Sequence, residues 1–317
     1  MNKLSRFHIL CLALLIIVSA CDRCNSASAP SASTESSPPS SEIEENEVDA
    51  VAEAEAAQET AEPEATQQTP EVAQQLRAAV EHPSRSAEHK ARDAFRHPFK
   101  TLSFFGIKPT MTVIEMRPGK GWYAEILAAY LKGQGKYIAA TVDPQGEKSK
   151  YAKMLFARME QDKSLFANAS TVTFEPPDHL SLGPILSADA VLTFRNMHGW
   201  ANHDQTEEFL KSVFAVLKPE GILGIVQHRA KVGSDFKESA KQGYISQQAL
   251  IDRVEKAGFK LEASSEINAN PKDTKDHPEG VWTLPPTLKL GEQDKQKYIA
   301  IGESDRMTLR FRKPSAS

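Results

Sequence analysis

Apolar positions in this chain fall into short, largely β-branched runs separated by stretches with helical spacing. The first run, 111–115, ends Thr112-Val113-Ile114-Glu115 and leads into Met116-Arg117-Pro118-Gly119-Lys120-Gly121. Tyr123, Ile126, Leu127, Tyr130 and Leu131 then recur as one face of a helix, with Gly133 as its stop. Runs at 137–142, 171–174, 190–194, 222–226, 259–263 and 307–312 predict six further strands. Tyr151, Met154, Leu155 and Met159 mark one intervening helix. Phe209, Leu210, Val213, Phe214 and Leu217 mark a second, closed by Lys218-Pro219-Glu220-Gly221. A third starts at Ser246 and ends before Gly258. Strands alternating with helices predict an α/β domain with a mostly parallel seven-stranded sheet and helices on both faces.

The flanks differ. A polar helix is expected over 88–97, stopped by Pro98 and followed by Phe99, Phe104 and Phe105. An insert rich in Pro, Asp, Lys and His, 268–305, separates the last two strands. Residues 1–20 read as a secretory signal, with Lys3 and Arg6 ahead of an apolar core too short to span a bilayer. It ends Val18-Ser19-Ala20-Cys21, which resembles a bacterial lipobox and implies lipidation of Cys21. Asp22 resembles an inner-membrane retention signal, so the expected location is the periplasmic face of the inner membrane, with the outer membrane as the alternative. Residues 21–76 are Ser, Ala, Pro, Glu, Thr and Gln with few large apolar side chains, the composition of a disordered tether.

Charge sharpens this division. The chain carries a net −4, but residues 24–76 hold twelve acids and no Lys or Arg, and the first 24 residues sum to +2. The expected domain, 77–317, is therefore +6. That mild excess suits an anionic ligand or a membrane surface and does not argue for nucleic acid. The three cysteines are Cys11, Cys21 and Cys24, so the domain has neither a disulfide nor a cysteine metal site. His82, His89 and His97 are spaced seven and eight apart, but Pro83 interrupts the first interval and no metal site is assigned.

Candidate chemistry gathers at strand ends. The turn around Gly119 and Gly121 lets a ligand approach backbone N–H groups at a helix start, although an ordinary βα turn would look the same. Asp143 lies twenty-two residues beyond Gly121. It either accepts hydrogen bonds from ribose hydroxyls or opens a turn with Pro144. The fourth strand ends Arg195-Asn196-Met197-His198-Gly199-Trp200, where open α/β sheets place ligands. His198 is a candidate general base or a loop-capping histidine, and the fifth strand ends with Gln227-His228-Arg229. Arg96 and His97, just before Pro98, are candidates to lean over this end of the sheet.

In this order, these features resemble class I S-adenosylmethionine-dependent methyltransferases over about 105–265 and again at 306–313. They are Val113-Ile114-Glu115 into Gly119-Lys120-Gly121, then Asp143, then Asp189-Ala190-Val191-Leu192 into Asn196-Met197-His198. Val216-Leu217-Lys218-Pro219-Glu220-Gly221 and Ala257-Gly258-Phe259 complete the set. A Pro-Gly-x-Gly-Trp-Tyr turn and the Asp276–Trp282 segment resemble a bacterial group of predicted methyltransferases. The resemblance implies a Rossmann-like sheet whose last strand is antiparallel, and S-adenosyl-L-methionine as cofactor. It places the cofactor on Glu115, Arg117, Gly119, Gly121, Asp143 and Asp178. Arg117 stands where the family has a glycine, so its side chain must either turn away from the ligand or touch it.

The implied function is methyl transfer to a small or lipid-like acceptor. Asn196 would orient that acceptor, and His198 or His228 would take its proton. Arg96, His97, Asp276, His277 and Trp282 would line its pocket. Export supports a different class as the alternative: a retired methyltransferase fold used as a periplasmic binding or scaffold module. Gly119-x-Gly121-x-x-Ala124 also meets the looser dinucleotide fingerprint, which ranks a nicotinamide enzyme third.

Overall fold

A computed structural model describes residues 68–147 and 149–315. Seven strands form one sheet in the order β3-β2-β1-β4-β5-β7-β6. These are β1 (Thr112–Met116), β2 (Lys136–Thr141), β3 (Ala169–Thr173), β4 (Ala188–Phe194), β5 (Leu217–His228), β6 (Lys260–Ser265) and β7 (Arg306–Arg312). The first five strands pair in parallel, and β7 runs antiparallel to both β5 and β6. Strand order reverses between β1 and β4, so a crevice opens at the carboxyl ends of those two strands.

Side chains alternate across β1 as a strand requires. Val113 packs with Phe105, Tyr123 and Leu127 on one face, and Ile114 with Trp200, Phe209 and Val213 on the other. The Trp122–Leu131 helix covers the first face, and the Thr206–Val216 and Gln247–Lys256 helices cover the second. A sheet dry on both faces explains why its strands read as continuous apolar runs. Gly224 of β5 allows one close contact in this core. A Cβ there would lie 2.6 Å from Leu192 Cδ2 and 3.0 Å from the Phe105 ring. Gly224→Ala should therefore destabilise the domain by about 1–3 kcal/mol through overpacking. An unchanged thermal midpoint would contradict this packing.

Several expected boundaries move. The tether was expected to run through residue 76, but Pro70–Val80 is a helix capped by Thr69, and Leu76 is fully buried. Val72, Leu76, Ala79 and Val80 supply its apolar face, too sparse to stand out against an acid-rich background. In place of one polar helix over 88–97 there are two single turns, Ala87–Lys90 and Asp93–Arg96. Pro98 does not only stop structure. It occupies the first position of the Pro98–Phe104 helix, where its missing N–H costs nothing. The expected turn at 218–221 is an extension of β5, held by Glu220 N–H to Lys313 O and Lys313 N–H to Gly221 O.

The 268–305 insert contains a short 3-10 turn, Gly280–Thr283, and the Lys295–Ile301 helix. Asn268 anchors its start by donating to Thr101 Oγ1 and Thr308 Oγ1 at 3.0 and 2.9 Å. Among the described residues, no helix is long and apolar enough to cross a membrane. The signal segment, Cys21 and the tether up to residue 67 lie outside the described residues.

Candidate functional site

At the tip of β1 the Glu115 carboxylate is 2 % exposed and accepts a 2.7 Å hydrogen bond from Tyr137 Oη. Burial pushes the Glu115 carboxyl up to about 7, against the opposing pull of that hydrogen bond and of the Arg195 charge. A carboxyl raised this way stabilises the fold below about pH 4.5, and the contribution is lost as pH rises through about 7. Glu115→Gln keeps an acceptor for Tyr137 and removes the charge. It should raise the thermal midpoint at pH 8 and leave it unchanged near pH 5. Parallel wild-type and variant pH profiles would contradict the shift.

The chain then passes through left-handed backbone at Arg117 (φ 47°), Gly119 (φ 65°) and Gly121 (φ 90°). The glycines tolerate this conformation, whereas for an L-residue such as Arg117 it costs roughly 1–2 kcal/mol. A Cβ on Gly119 would meet nothing within 4 Å, so open space lies beside the turn. Arg117 projects across the crevice toward β4, with its guanidinium 3.9 Å from the Trp200 ring centroid. Its Nε is buried without a partner. Burial lowers its pKa, with the Glu175 charge opposing.

At the next strand tips Asp143 is exposed and Oδ1 accepts from Gln145 N at 2.8 Å, the turn geometry foreseen as one of its two roles. Among the described residues, no hydrogen bond occupies Oδ2. Glu175 Oε2 accepts from Asp143 N at 3.1 Å, so Glu175 is the residue after β3 that reaches this site. Asp178, the expected acid after this strand, is exposed on the loop beyond.

On the β4 and β5 side, Asn196 donates from Nδ2 to Met116 O at 2.7 Å and so ties the tips of β4 and β1 together. Its amide N–H is thereby committed to the scaffold. Gln227 is fully buried, and backbone groups fix its amide at both ends. Oε1 accepts from Met197 N at 3.1 Å, and Nε2 donates to Gly243 O at 3.0 Å. The same Nε2 faces His198 Nδ1 at 3.3 Å, which makes Nδ1 an acceptor and leaves the neutral imidazole's proton on Nε2. Burial lowers the His198 pKa to about 4, against the Gln227 hydrogen bond, so the ring is neutral at pH 7. In this tautomer His198 carries a donor on Nε2, while Nδ1, the nitrogen that could take a proton, faces the Gln227 amide.

His228 lies 5.9 Å from His198 between ring centroids, and its Nδ1 contacts Ser304 Oγ at 2.5 Å. Burial also holds it well below its ordinary value. The Trp282 ring stands edge-on to His198 at 5.8 Å, placing this residue of the insert at the site.

The remaining expected acceptor residues divide. Arg96 is 2 % exposed, and its Nε donates to Glu303 Oε2 at 3.3 Å, in a cluster above the sheet. His97 is partly buried at a left-handed corner (φ 41°) that joins two helical turns. His277 binds Asp273 at 2.9 Å, and Asp273 also takes Tyr244 Oη and Asp305 N–H, so His277 supports the insert itself. Asp276 is on the surface, paired with Lys231 at 3.0 Å. Neither joins His198. Pattern reading gave no role to Arg195 and Gln227, although it named their segments, and it missed Glu303 and Ser304. Two broad clefts, one of about 290 Å³ lined by Tyr244 and Lys275 and one of about 870 Å³ lined by Lys120 and Glu125, include none of Glu115, Asp143, Asn196 and His198.

No family model matches the chain, and no curated protein matches it by sequence. Solved structures do. One is an inferred sarcosine dimethylglycine methyltransferase from Galdieria sulphuraria, 13 % identical. The match covers 74 % of this chain and 90 % of that one, with a TM-score of 0.50. Another is a SAM-dependent methyltransferase from Aquifex aeolicus, 17 % identical, covering 76 % and 98 % with a TM-score of 0.48. The fold is the Rossmann-like methyltransferase fold. At 13 % identity the likeness to the Galdieria sulphuraria structure establishes architecture alone. Within the methyltransferase fold, β7 inserted antiparallel between β5 and β6 separates this sheet from the parallel dinucleotide order.

Proposed function

We propose that the chain is an S-adenosyl-L-methionine-dependent methyltransferase acting on a small or lipid-like acceptor. One observation carries the proposal. At the switch point of the sheet, the left-handed turn after β1 leaves open space beside Gly119, and Asp143 and Glu175 meet at the neighbouring strand tips. These residues fit the cofactor. Asp143 Oδ2 is available for a ribose hydroxyl, the left-handed turn admits close backbone approach, and the Arg117 Nε is an unpaired buried donor.

The cofactor would supply a methyl group on a sulfonium centre. The protein's part is positioning. Asn196 locks the two strand tips together, His198 presents Nε2–H to the acceptor, and Trp282 closes the far wall. Burial lowers the pKa of both histidines and so makes them weak bases, which favours acceptors whose nucleophile is already unprotonated. The proposal extends to a membrane tether through a lipidated Cys21 on the periplasmic face, in a protein of the bacterial group that shares the Asp276–Trp282 pattern. It includes no nucleic-acid partner.

A second reading, a retired fold that binds ligand without transferring a methyl group, is favoured by Arg117 in the glycine turn. Ultraviolet crosslinking of full-length protein with methyl-tritiated S-adenosylmethionine tests the site. Label is expected in peptides containing 115–123 or 141–147. Label confined to peptides outside the strand tips would overturn the assignment.

A further inference from the structure

The loops that enter the parallel strands gather at the end of the sheet opposite the crevice. Residues 105–111 lead into β1, 132–135 into β2 and 180–187 into β4, and β1 lies between the other two strands. Contacts join the three entries. A Cβ on Gly135 would stand 2.5 Å from both Pro109 O and Met111 O, and Thr112 N donates to Asp189 Oδ2 at 2.7 Å.

This end is basic. Lys108, Lys132 and Lys136, which opens β2, are all exposed, and 105–111, 132–136 and 180–187 contain no Asp or Glu. Among the described residues none of the three lysines has an ion pair, and Lys132 Nζ donates only to Ser164 Oγ, at 3.3 Å. Asp189, the first acid of β4, is already taken by Lys218 Nζ at 2.6 Å and by Thr112 N. The loop before β3 is balanced. Lys163 pairs with Glu160 at 3.0 Å, and Asp162 accepts from Leu165 N and lies 3.9 Å from Arg158.

The β4 entry adds two consecutive apolar side chains, Ile185 at 75 % exposure and Leu186 at 47 %. Their backbone is tied down. Leu186 N–H is bonded to Ala215 O at 3.0 Å, Ser187 N–H to Val216 O at 2.9 Å, and Ser187 Oγ donates to Pro184 O at 2.6 Å. Leu186 is left-handed (φ 56°), a strained conformation for an L-residue, so the pair is held in water by a fixed corner. Single exposed apolar residues are ordinary, but an apolar pair beside unpaired cations is the composition of a surface that meets lipid. The chain also enters the domain here. Gln68, the first described residue, donates from Nε2 to Ile107 O at 3.2 Å.

We propose that this end of the domain docks on an anionic lipid bilayer, with Lys108, Lys132 and Lys136 against the headgroups and Ile185 and Leu186 at the acyl boundary. The proposal builds on the membrane tether through Cys21 and not on methyl transfer. A tether that joins the domain at its docking end raises the local lipid concentration and makes a weak surface contact effective. A second copy fits this face poorly, because a two-fold contact would set lysines against lysines. Docking this way turns the carboxyl ends of β1 and β4 away from the bilayer, so the acceptor comes from the aqueous phase, and of the two acceptor classes the small one is selected.

The test is lysine footprinting of the full-length protein on vesicles, with sulfosuccinimidyl acetate at low conversion and each site followed by peptide mass spectrometry. Vesicles of phosphatidylglycerol and phosphatidylcholine in equal parts should slow labelling of Lys108, Lys132 and Lys136 about fivefold relative to phosphatidylcholine alone, the scale of one lysine's attraction to an anionic leaflet. Lys120 and Lys150, exposed at the crevice end, should label equally on both. Ile185→Ser together with Leu186→Ser, a change of exposed side chains only, should weaken the protection. Equal labelling on the two vesicles, or protection of Lys120 and Lys150 in place of the other three, would overturn the proposal. Protection that grows with protein concentration in the absence of vesicles would assign the face to a second copy and overturn it too. The same digest reports on the tether separately, through the acyl mass on Cys21. An unlipidated Cys21 with the three lysines still protected would fail the tether reading and support the docking face.

Discussion

Glu303→Ala is expected to lower the thermal midpoint by about 10 °C. The Glu303 side chain is 6 % exposed and is the shared partner of Arg92, Arg96 and Arg306, of which Arg96 and Arg306 are themselves buried. Removing one member of a buried ionic cluster strands the others, at a cost of about 3–5 kcal/mol. Each kcal/mol moves the midpoint of a domain this size by about 2–4 °C. Acid titration gives the same interaction a second signature. Burial alone would raise the carboxyl, but Arg96, Arg306 and Arg92 outweigh it and hold Glu303 at about 2, below the ordinary 4.5. The stabilisation is therefore complete above about pH 4.5 and is lost as pH falls through about 2. Glu303→Gln should flatten that acid dependence. A melting point within about 2 °C of wild type for Glu303→Ala, less than 1 kcal/mol on the same scale, would show that the arginines find other partners.

Asp143→Ala should weaken S-adenosylhomocysteine binding by about 30-fold and leave the melting point almost unchanged. Asp143 is exposed, and its one side-chain hydrogen bond among the described residues, from Gln145 N, is a local turn contact. A hydrogen bond from a ligand hydroxyl to a carboxylate contributes about 1.5–3 kcal/mol, and 2 kcal/mol is roughly 30-fold. Calorimetric titration of wild type and variant separates the two outcomes. Equal affinity would leave Asp143 as a turn former only.

The β1 strand, its glycine turn and the alternation of strands with helices were legible because continuous apolar runs and turn glycines leave marks over a few residues. The 70–80 helix was not, since its one large buried anchor, Leu76, sits in a stretch whose composition is that of a tether. The site was legible as positions and not as chemistry. His198 stands at a strand tip as expected, but its tautomer is set by Gln227, 29 residues later in the chain. Asp178 and Glu175 are equally plausible acids after the third strand, and only the backbone decides that Glu175 meets Asp143.

Whether an arginine has a counter-ion depends on groups far along the chain, as when Glu303 pairs with Arg92, 211 residues away. Charge pairing of that range leaves no local pattern. The mild basicity of the domain was its only trace.

The most direct test of a cofactor crevice at the β1–β4 switch point is calorimetric titration of the full-length protein with S-adenosylhomocysteine. Saturable binding in the micromolar range is expected, about −8 kcal/mol. No measurable binding at millimolar ligand would contradict the cofactor assignment and leave the fold without a methyl-transfer function.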